Sequence, residues 1–276
     1  MYRLVYVLIL AALLPLNCTK SGSSGVPAKR VFTSLADFGG ARIASESGSV
    51  FPQFIDRVIP NVEHVPYVSL SDVVGDLLAG RIDAVSLDMP IALYLAARNS
   101  SLAAFPFVVA EDDYGFAVAK GSPLQIAGNE ALRSLRESGL IGELEKQWFA
   151  SDEGVKVLPK LTHRPDFDGS GGNIRYGWQN TLIPMAYATP EGVPIGFDLD
   201  IAHRIAYEMN MTLTVTTMPF DRLFPALLAG EIDMAGGSIS ITLERLETAD
   251  FIGPYFEGGT ALVVRRNRMG VPAVRN

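Results

Sequence analysis

One eight-residue pattern occurs twice in this sequence, once in each half of the chain. The first copy reads Leu-Leu-Ala-Gly-Arg-Ile-Asp-Ala over residues 77–84, and the second reads Leu-Leu-Ala-Gly-Glu-Ile-Asp-Met over residues 227–234. In each copy a helix is predicted to end at the glycine, because glycine readily takes the left-handed conformation that closes a helix. A buried strand is predicted next, and Asp83 and Asp233 are interpreted as residues of the turn between them. The repetition indicates two units of similar design.

The segments before each copy support the same interpretation. Patterns typical of a strand, a helix and a strand lie at residues 42–45, 51–58 and 62–66 before the first copy, and at residues 173–177, 197–208 and 212–216 before the second. Strands that alternate with helices predict an α/β fold of two lobes, each with a parallel or mixed sheet and helices on both faces. Since ligands of open α/β sheets bind beyond the carboxyl ends of the strands, the cleft between facing lobes is the predicted binding site.

The start of the chain has the features of an export signal. Arg3 precedes an apolar run from Leu4 to Leu16, which is shorter than the ~20 residues that a membrane-spanning helix needs. Residues 1–18 are therefore interpreted as a signal peptide and residues 19–33 as a tether.

The only cysteine of the chain, Cys18, lies where the apolar run ends, so no intrachain disulfide is expected. Its position resembles the lipobox of bacterial lipoproteins, in which the cysteine becomes acylated, although Asn17 stands where a small residue is usual. The resemblance implies lipidation at Cys18, a membrane anchor and a periplasmic or cell-surface location. An ordinary signal peptide with an incidental thiol is the alternative.

Composition and charge exclude several classes of partner. The formal net charge is -7 and no long Lys/Arg run occurs, so nucleic acid is not an expected partner. The three histidines show no metal-ligand spacing, and neither a phosphate-binding loop nor a Ser-His-Asp order is present. No metal, cofactor or catalytic residue is therefore predicted.

Several segments resemble those of one known family. Residues 196–202, Gly-Phe-Asp-Leu-Asp-Ile-Ala, are similar to its GFDVDLA segment, and residues 238–245, Ser-Ile-Ser-Ile-Thr-Leu-Glu-Arg, to its SMSITPER segment. Further similar segments lie at residues 34–38, 82–88, 145–149 and 251–256. The family is the amino-acid-binding extracellular solute-binding proteins of ABC importers, solute-binding protein family 3. The resemblance implies a two-lobed periplasmic binding protein type II fold, a monomer that closes on a free L-amino acid, and a membrane permease as partner.

The order of the segments differs from the family's usual order, in which the GFDVDLA and SITPER segments come first. The predicted parts are the second lobe (34–116), a crossing strand with terminal helices that pack on the first lobe (117–149), a linker that joins the old termini (150–172), and the first lobe (173–276). This order predicts a circular permutation, which is tolerated when the old ends are close and exposed. It also predicts one covalent crossing near residues 117–120, with the new ends near Phe32 and Arg265.

A free amino acid brings a carboxylate, which an arginine fork and backbone N–H groups at a helix start bind well. Ser240, Thr242 and Arg245 offer this set, with Thr242 placed to cap the helix that carries Arg245. A capping box beside a solvated arginine is the alternative. By the resemblance, Ser238 and Ser240 contribute backbone and hydroxyl contacts to the ligand.

The ammonium of the ligand needs an acceptor from the other lobe. Asp88 follows a predicted strand, where open α/β sheets display functional groups, and an N-cap role for the next helix is the alternative. The resemblance favours Asp88 as the amine ligand and implies that the turn of Gly48, Ser49 and Val50 donates backbone N–H groups to the carboxylate. Phe220 has the position of an aromatic residue that stacks on the ligand, with plain core packing as the alternative.

Two positions depart from the family pattern. Gln179 replaces a frequent aspartate, and Leu182 replaces an aromatic residue, so one wall of the site is aliphatic. Gln179 and Glu46 together favour a ligand with a polar or cationic side chain. An enzyme on the same fold, such as a dehydratase, and a ligand-sensing module are the rival functions. No histidine falls at a predicted cleft position, which favours a binding protein over an enzyme.

Overall fold

A computed structural model of the chain describes residues 30–149 and 166–273, so Cys18, the predicted signal peptide and residues 150–165 of the predicted linker lie outside it. The strands are β1 (Arg42–Glu46), β2 (Glu63–Tyr67), β3 (Ala84–Asp88), β4 (Leu102–Ala104), β5 (Ala110–Ala119), β6 (Asn173–Trp178), β7 (Thr181–Leu182), β8 (Ala186–Ala188), β9 (Pro194–Ile195), β10 (Thr212–Thr217), β11 (Met234–Ala235) and β12 (Ala249–Arg265). The helices are α1 (Phe51–Val58), α2 (Leu70–Ala79), α3 (Met89–Arg98), α4 (Pro123–Glu137), α5 (Leu140–Phe149), α6 (Phe197–Glu208), α7 (Phe220–Leu228) and α8 (Leu243–Thr248). Within these residues, no helix has the length and hydropathy needed to cross a membrane.

Both copies of the sequence repeat form the predicted helix-to-strand turn. The glycine after the helix has a φ of 78° in the first copy and 71° in the second. Asp83 accepts a hydrogen bond from the backbone N–H of Arg42 at 3.0 Å, and Asp233 accepts one from the backbone N–H of Arg175 at 2.8 Å. Each aspartate therefore ties its turn to the neighbouring strand, β1 or β6, which is a longer-range role than the predicted turn chemistry.

One nine-stranded sheet runs through the described part of the chain in the order β10-β6-β11-β5-β12-β3-β1-β2, with β4 beside β12. The strands β10, β6 and β11 are parallel to one another, and so are β3, β1 and β2. We call the second group with its helices the Asp88 lobe and the first the Arg245 lobe. The antiparallel pair of β5 and β12 lies between them and joins the two predicted sheets into one mixed α/β sheet.

Two strands cross between the lobes, whereas the sequence predicted one. β5 pairs with β11 of the Arg245 lobe, and β12 pairs with β3 of the Asp88 lobe from Thr260 to Val264. The prediction of a single crossing near 117–120 is therefore wrong, because the 17-residue β12 continues past the Arg245 lobe into the other lobe. The end of β12 thus lies in the Asp88 lobe instead of the lobe predicted at 173–276.

The apolar core of the Asp88 lobe brings together segments from both ends of the described chain. Phe32 stacks on Phe38 at 4.0 Å between ring centroids, and Leu262 and Val264 of β12 belong to the same core. The backbone N–H of Phe32 donates to the carbonyl of Arg268 at 2.7 Å. The segments around residues 32 and 268 are therefore neighbours in space.

The helices α4 and α5 lie on the Arg245 lobe. Trp148 of α5 donates its indole N–H to Asp200 of α6 at 3.3 Å, and the Phe149 ring lies 4.8 Å from that of Phe197. Residues 117–149 thus carry the chain out of the Asp88 lobe and cover the Arg245 lobe.

Candidate functional site

A narrow gap between the two lobes contains most of the predicted site. The cavity left there has a volume of only about 10 Å³, so the two walls are close together, and its lining comes from both lobes. The lining residues are Glu46, Ser49, Val50, Phe51 and Asp88 from one lobe, and Leu182, Phe220, Gly237, Ser238, Ser240 and Arg245 from the other. Nine of the twelve predicted ligand-binding residues are in this set, and the sequence did not predict Phe51 and Gly237.

The three remaining predicted residues each bond to a lining residue. Thr242 Oγ1 accepts the backbone N–H of Arg245 at 3.2 Å, and the Gly48 carbonyl accepts from Arg245 Nη2 at 3.3 Å. Gln179 Nε2 donates to Glu46 Oε2 at 3.2 Å. The last two bonds join opposite lobes, so the lobes are in direct contact at the gap.

Arg245 is held at the start of α8 and is 9% exposed, which excludes the alternative of a solvated arginine. Its Nη1 donates to the Ser240 carbonyl at 2.9 Å, and its guanidinium lies 5.0 Å from the Phe224 ring and 5.8 Å from the Phe220 ring. Burial lowers the pKa of Arg245 to about 10, so the guanidinium stays charged at neutral pH. The capping role of Thr242 and a ligand role for Arg245 are compatible, because Thr242 sets the helix start that fixes Arg245.

Asp88 faces the gap from the end of β3 and is 4% exposed. Within the described residues, its side chain makes no capping hydrogen bond to α3, and its Oδ1 has no hydrogen-bond partner. Burial raises the pKa of Asp88 well above its ordinary value, and the nearby charge of Asp112 adds to this. A buried carboxyl group in this state is stabilised by a donor or cation in the gap.

The turn opposite Asp88 is built by the motif that starts α6. Asp198, which is fully buried, accepts the backbone N–H groups of Gly237 and Ser238 at 3.0 and 2.6 Å. Ser238 has a φ of 55°, unusual for a residue other than glycine, and these two bonds stabilise it. Its Oγ is buried and has no hydrogen-bond partner in the described part of the chain. The sequence singled out the motif around Asp198 but assigned no role to this residue.

Asp112 is a buried residue of the site that the sequence did not predict. It lies on β5, and its Oδ2 accepts the Ser240 hydroxyl at 2.6 Å. Burial raises the pKa of Asp112 to about 6, although the Ser240 bond and the Arg245 charge act in the opposite direction. The signal was present in the acidic run 111–113 at the start of a strand. Because successive side chains of a strand point to opposite faces, Asp112 points inward while Glu111 and Asp113 stay exposed.

Glu46 and Gln179 form a buried polar contact at one side of the gap. Glu46 is the last residue of β1, next to β3, so Glu46 and Asp88 lie at the carboxyl ends of adjacent parallel strands. Burial raises the pKa of Glu46 to about 7, the Gln179 bond lowers it, and the charge of Asp221 raises it further.

An open groove adjoins the gap. Its volume is about 560 Å³, and Asp112, which bonds to Ser240 in the gap, is part of its lining. The groove is lined by Gln53, Phe54, Arg57, Glu111, Asp112, Asp113, Ile241, Thr242, Leu243 and Glu244. Acidic side chains therefore outnumber basic ones on the open side of the site.

The sequence of the Arg245 lobe matches a known family. Residues 174–271 fit the profile of the family described as bacterial extracellular solute-binding proteins, family 3. Over these residues, the chain is similar to members of that family. It is 33% identical over 104 residues to the histidine-binding periplasmic protein of Escherichia coli, and 33% identical over 92 residues to the L-arginine-binding protein of Pseudomonas aeruginosa. These matches cover 38% and 33% of this chain, and the chain spans 40% and 36% of the two relatives.

Solved structures of similar proteins match at low structural scores. An ancestral arginine-binding protein bound to arginine is 32% identical, with 30% of this chain and 35% of that chain covered and a TM-score of 0.27. The ligand-binding component of an ABC-type import system from Staphylococcus aureus is 14% identical, with 82% of this chain and 65% of that chain covered and a TM-score of 0.43. The similarity to this family therefore rests on the sequence match over residues 174–271.

The matched segment supplies only one wall of the gap. Gln179, Phe220 and the turn that leads to Arg245 lie within residues 174–271, whereas Glu46 and Asp88 lie outside them. The family match thus supports the Arg245 wall, and the assignment of the Asp88 wall depends on the geometry described above.

Proposed function

We propose that this solute-binding protein captures a free α-amino acid in the gap between its lobes and delivers it to an ABC importer. The observation that carries the proposal is that a buried arginine and a buried aspartate, whose Oδ1 has no hydrogen-bond partner among the described residues, line the same gap from opposite lobes. An α-amino acid is a zwitterion, so its carboxylate suits Arg245 and its ammonium suits Asp88. The hydroxyl groups of Ser238 and Ser240 line the same gap.

Capture requires the lobes to separate and close again. Among the described residues, hydrogen bonds that join them across or beside the gap include Arg245 to Gly48, Gln179 to Glu46, and Gln53 to Glu244. We infer that opening breaks these contacts and bends β5 and β12, whose pairing is already irregular between Ile252 and Phe256. A ligand favours closure because only the closed form lets it contact both walls.

Calorimetry of the purified protein against the twenty amino acids tests the proposal. Saturable one-to-one binding of at least one of them is the expected result, since both walls are buried and charged. Absence of binding to every amino acid would refute it.

The buried carboxyl groups in and beside the gap favour one second candidate, an enzyme on the same fold. The pKa of Glu46 is raised to about 7 and that of Asp112 to about 6, values that suit general acid–base catalysis near neutral pH. A solved ancestral cyclohexadienyl dehydratase is 27% identical, with 32% of this chain and 37% of that chain covered and a TM-score of 0.27. His64 and His203 do not line the gap. Recovery of the bound amino acid unchanged after long incubation would exclude this candidate.

The lipid anchor at Cys18 and the permuted order of the lobes belong to the same proposal. Acylation would hold the protein at the membrane beside the permease, and Cys18→Ser is then expected to move it to the soluble fraction. The permutation is supported by the contact of Phe32 with Arg268. A rearranged gene in which residues 166–273 precede residues 31–149 is expected to yield a protein with the same ligand preference.

A further inference from the structure

The gap and its edge hold more negative charge than recognition of a zwitterion requires. Arg245 and Asp88 are sufficient for the α-carboxylate and the α-ammonium, yet Glu46 also lines the gap, and the buried Asp112 bonds to its lining residue Ser240. Among the described residues that line the gap or bond to its lining, Arg245 is the only cationic side chain. Asp198 is also buried and accepts the backbone N–H groups of Gly237 and Ser238, so four carboxylates and one guanidinium give a charge of −3 when all are ionised. A zwitterion leaves this sum unchanged, whereas an amino acid with a cationic side chain brings it to −2.

Glu46 is the carboxylate best placed to receive such a side chain. It lines the gap at the end of β1, beside Asp88 at the end of β3, and its partner across the gap is the neutral amide of Gln179. The ionisable groups that act on it are Asp221, Tyr67 and Asp88, and none of these is a cation. Asp112, in contrast, already accepts a hydrogen bond from Ser240 and interacts with Arg245.

The open groove points to the same class of ligand. The exposed acidic residues Glu111, Asp113 and Glu244 line it, with Arg57 as the basic residue among its lining. A cleft lined by one sign of charge concentrates ligands of the opposite sign and speeds their association at low salt. The acidic groove therefore favours approach of a molecule with net positive charge.

We propose that the gap selects an α-amino acid whose side chain carries a guanidinium or ammonium group, and that Glu46 is the carboxylate that receives this group. The proposal rests on the proposed function, because it takes the α-amino acid site as given. In this proposal Glu46, which lies outside the matched family segment, determines which amino acids bind. Gln179 from the opposite wall then orients the Glu46 carboxylate.

Matched pairs of ligands separate charge from shape. L-Arginine and the neutral, nearly isosteric L-citrulline form one pair, and L-lysine and L-norleucine form the other. In at least one pair, the wild-type protein is expected to bind the cationic member about 100-fold more tightly, as is typical of a buried ionic hydrogen bond. Glu46→Gln is expected to reduce that preference to about tenfold or less, mainly through weaker binding of the cation. The matched control Glu143→Gln, an exposed position on α5, is expected to leave both affinities unchanged.

The outcomes distinguish this inference from the proposed function. If neutral members bind the wild-type protein as tightly as cationic ones, the inference is wrong while amino-acid capture stands. If a preference exists and Glu46→Gln keeps it in full, the role of Glu46 is wrong. Failure of all amino acids to bind would refute the proposed function itself. The wild-type comparison needs no substitution, so the test of ligand class holds even if a variant folds poorly.

Discussion

The two lobes share a scaffold but present opposite chemistry to the gap. Asp83 and Asp233 accept backbone hydrogen bonds from equivalent strands, β1 and β6. Both copies of the repeat therefore anchor their helix-to-strand turn in the same way. The Arg245 lobe offers a guanidinium, hydroxyl groups and a strained turn, whereas the Asp88 lobe offers carboxylates at the ends of parallel strands. A repeated framework can therefore carry two different walls, and a zwitterion is a molecule that matches both.

Removal of the Arg245 guanidinium is expected to have the largest effect on ligand affinity. Arg245→Ala should weaken binding of every amino acid by about 4 kcal/mol, because it leaves the ligand carboxylate buried without a partner. Titration calorimetry measures the loss, and Arg222→Ala, at an exposed position on α7, is the control. Affinity within about threefold of wild type, less than the ~1 kcal/mol that one hydrogen bond contributes, would contradict the assigned role of Arg245.

Neutralisation of Asp88 on the facing wall is expected to lower ligand affinity and to raise folding stability. Asp88→Asn should weaken amino-acid binding by about 2 to 3 kcal/mol, since the ammonium loses its counter-charge. The same change should stabilise the unliganded protein by about 1 kcal/mol, because it removes a buried ionisable carboxyl group whose Oδ1 lacks a hydrogen-bond partner among the described residues.

Calorimetry and thermal unfolding of the same samples check both halves of the Asp88 prediction. Glu130→Gln, at an exposed position on α4 that lines neither the gap nor the groove, serves as the control. A variant that binds normally, or one that loses stability together with affinity, would show that Asp88 is a structural residue instead of a ligand group.

The raised pKa of Glu46 predicts a pH dependence of stability in the unliganded protein. Burial raises this pKa from its ordinary 4.5 to about 7 in the folded state, so the protonated form is favoured by folding. The associated stability is present below about pH 4.5 and is lost as the pH rises through about 7. Glu46→Gln does not titrate, so its stability relative to wild type should increase by about 2 kcal/mol between pH 5 and pH 8. Urea unfolding at the two values measures the change, and a difference that does not vary with pH would refute the assignment.

The sequence predicted the parts of this comparison that depend on local patterns. The repeat predicted two α/β units. Arg245 and Asp88 were candidates because of their local positions, a helix start and a strand end, and the family resemblance favoured ligand roles for both. Asp112 was missed because its role depends on Ser240, which lies 128 positions away in the chain. The second crossing was missed because only the pairing of β12 with β3 shows how far that strand extends.

The smallest expected effects are those of substitutions at Asp83 and Asp233, which anchor the repeated turns. These substitutions test whether the turns and the gap act independently. Asp233→Asn should cost about 1 kcal/mol of folding stability, since Asp233 accepts the backbone N–H of Arg175 and pairs with its guanidinium at 2.6 Å. Asp83→Asn should cost less, because Asp83 bonds only the backbone N–H of the equivalent Arg42 among the described contacts. Neither residue lines the gap, so both variants should keep wild-type affinity. Chemical denaturation and calorimetry together measure this separation. If either variant changed ligand affinity as much as stability, the repeated turns and the binding residues would be energetically coupled. The two walls of the gap would then depend on the turns that the lobes share.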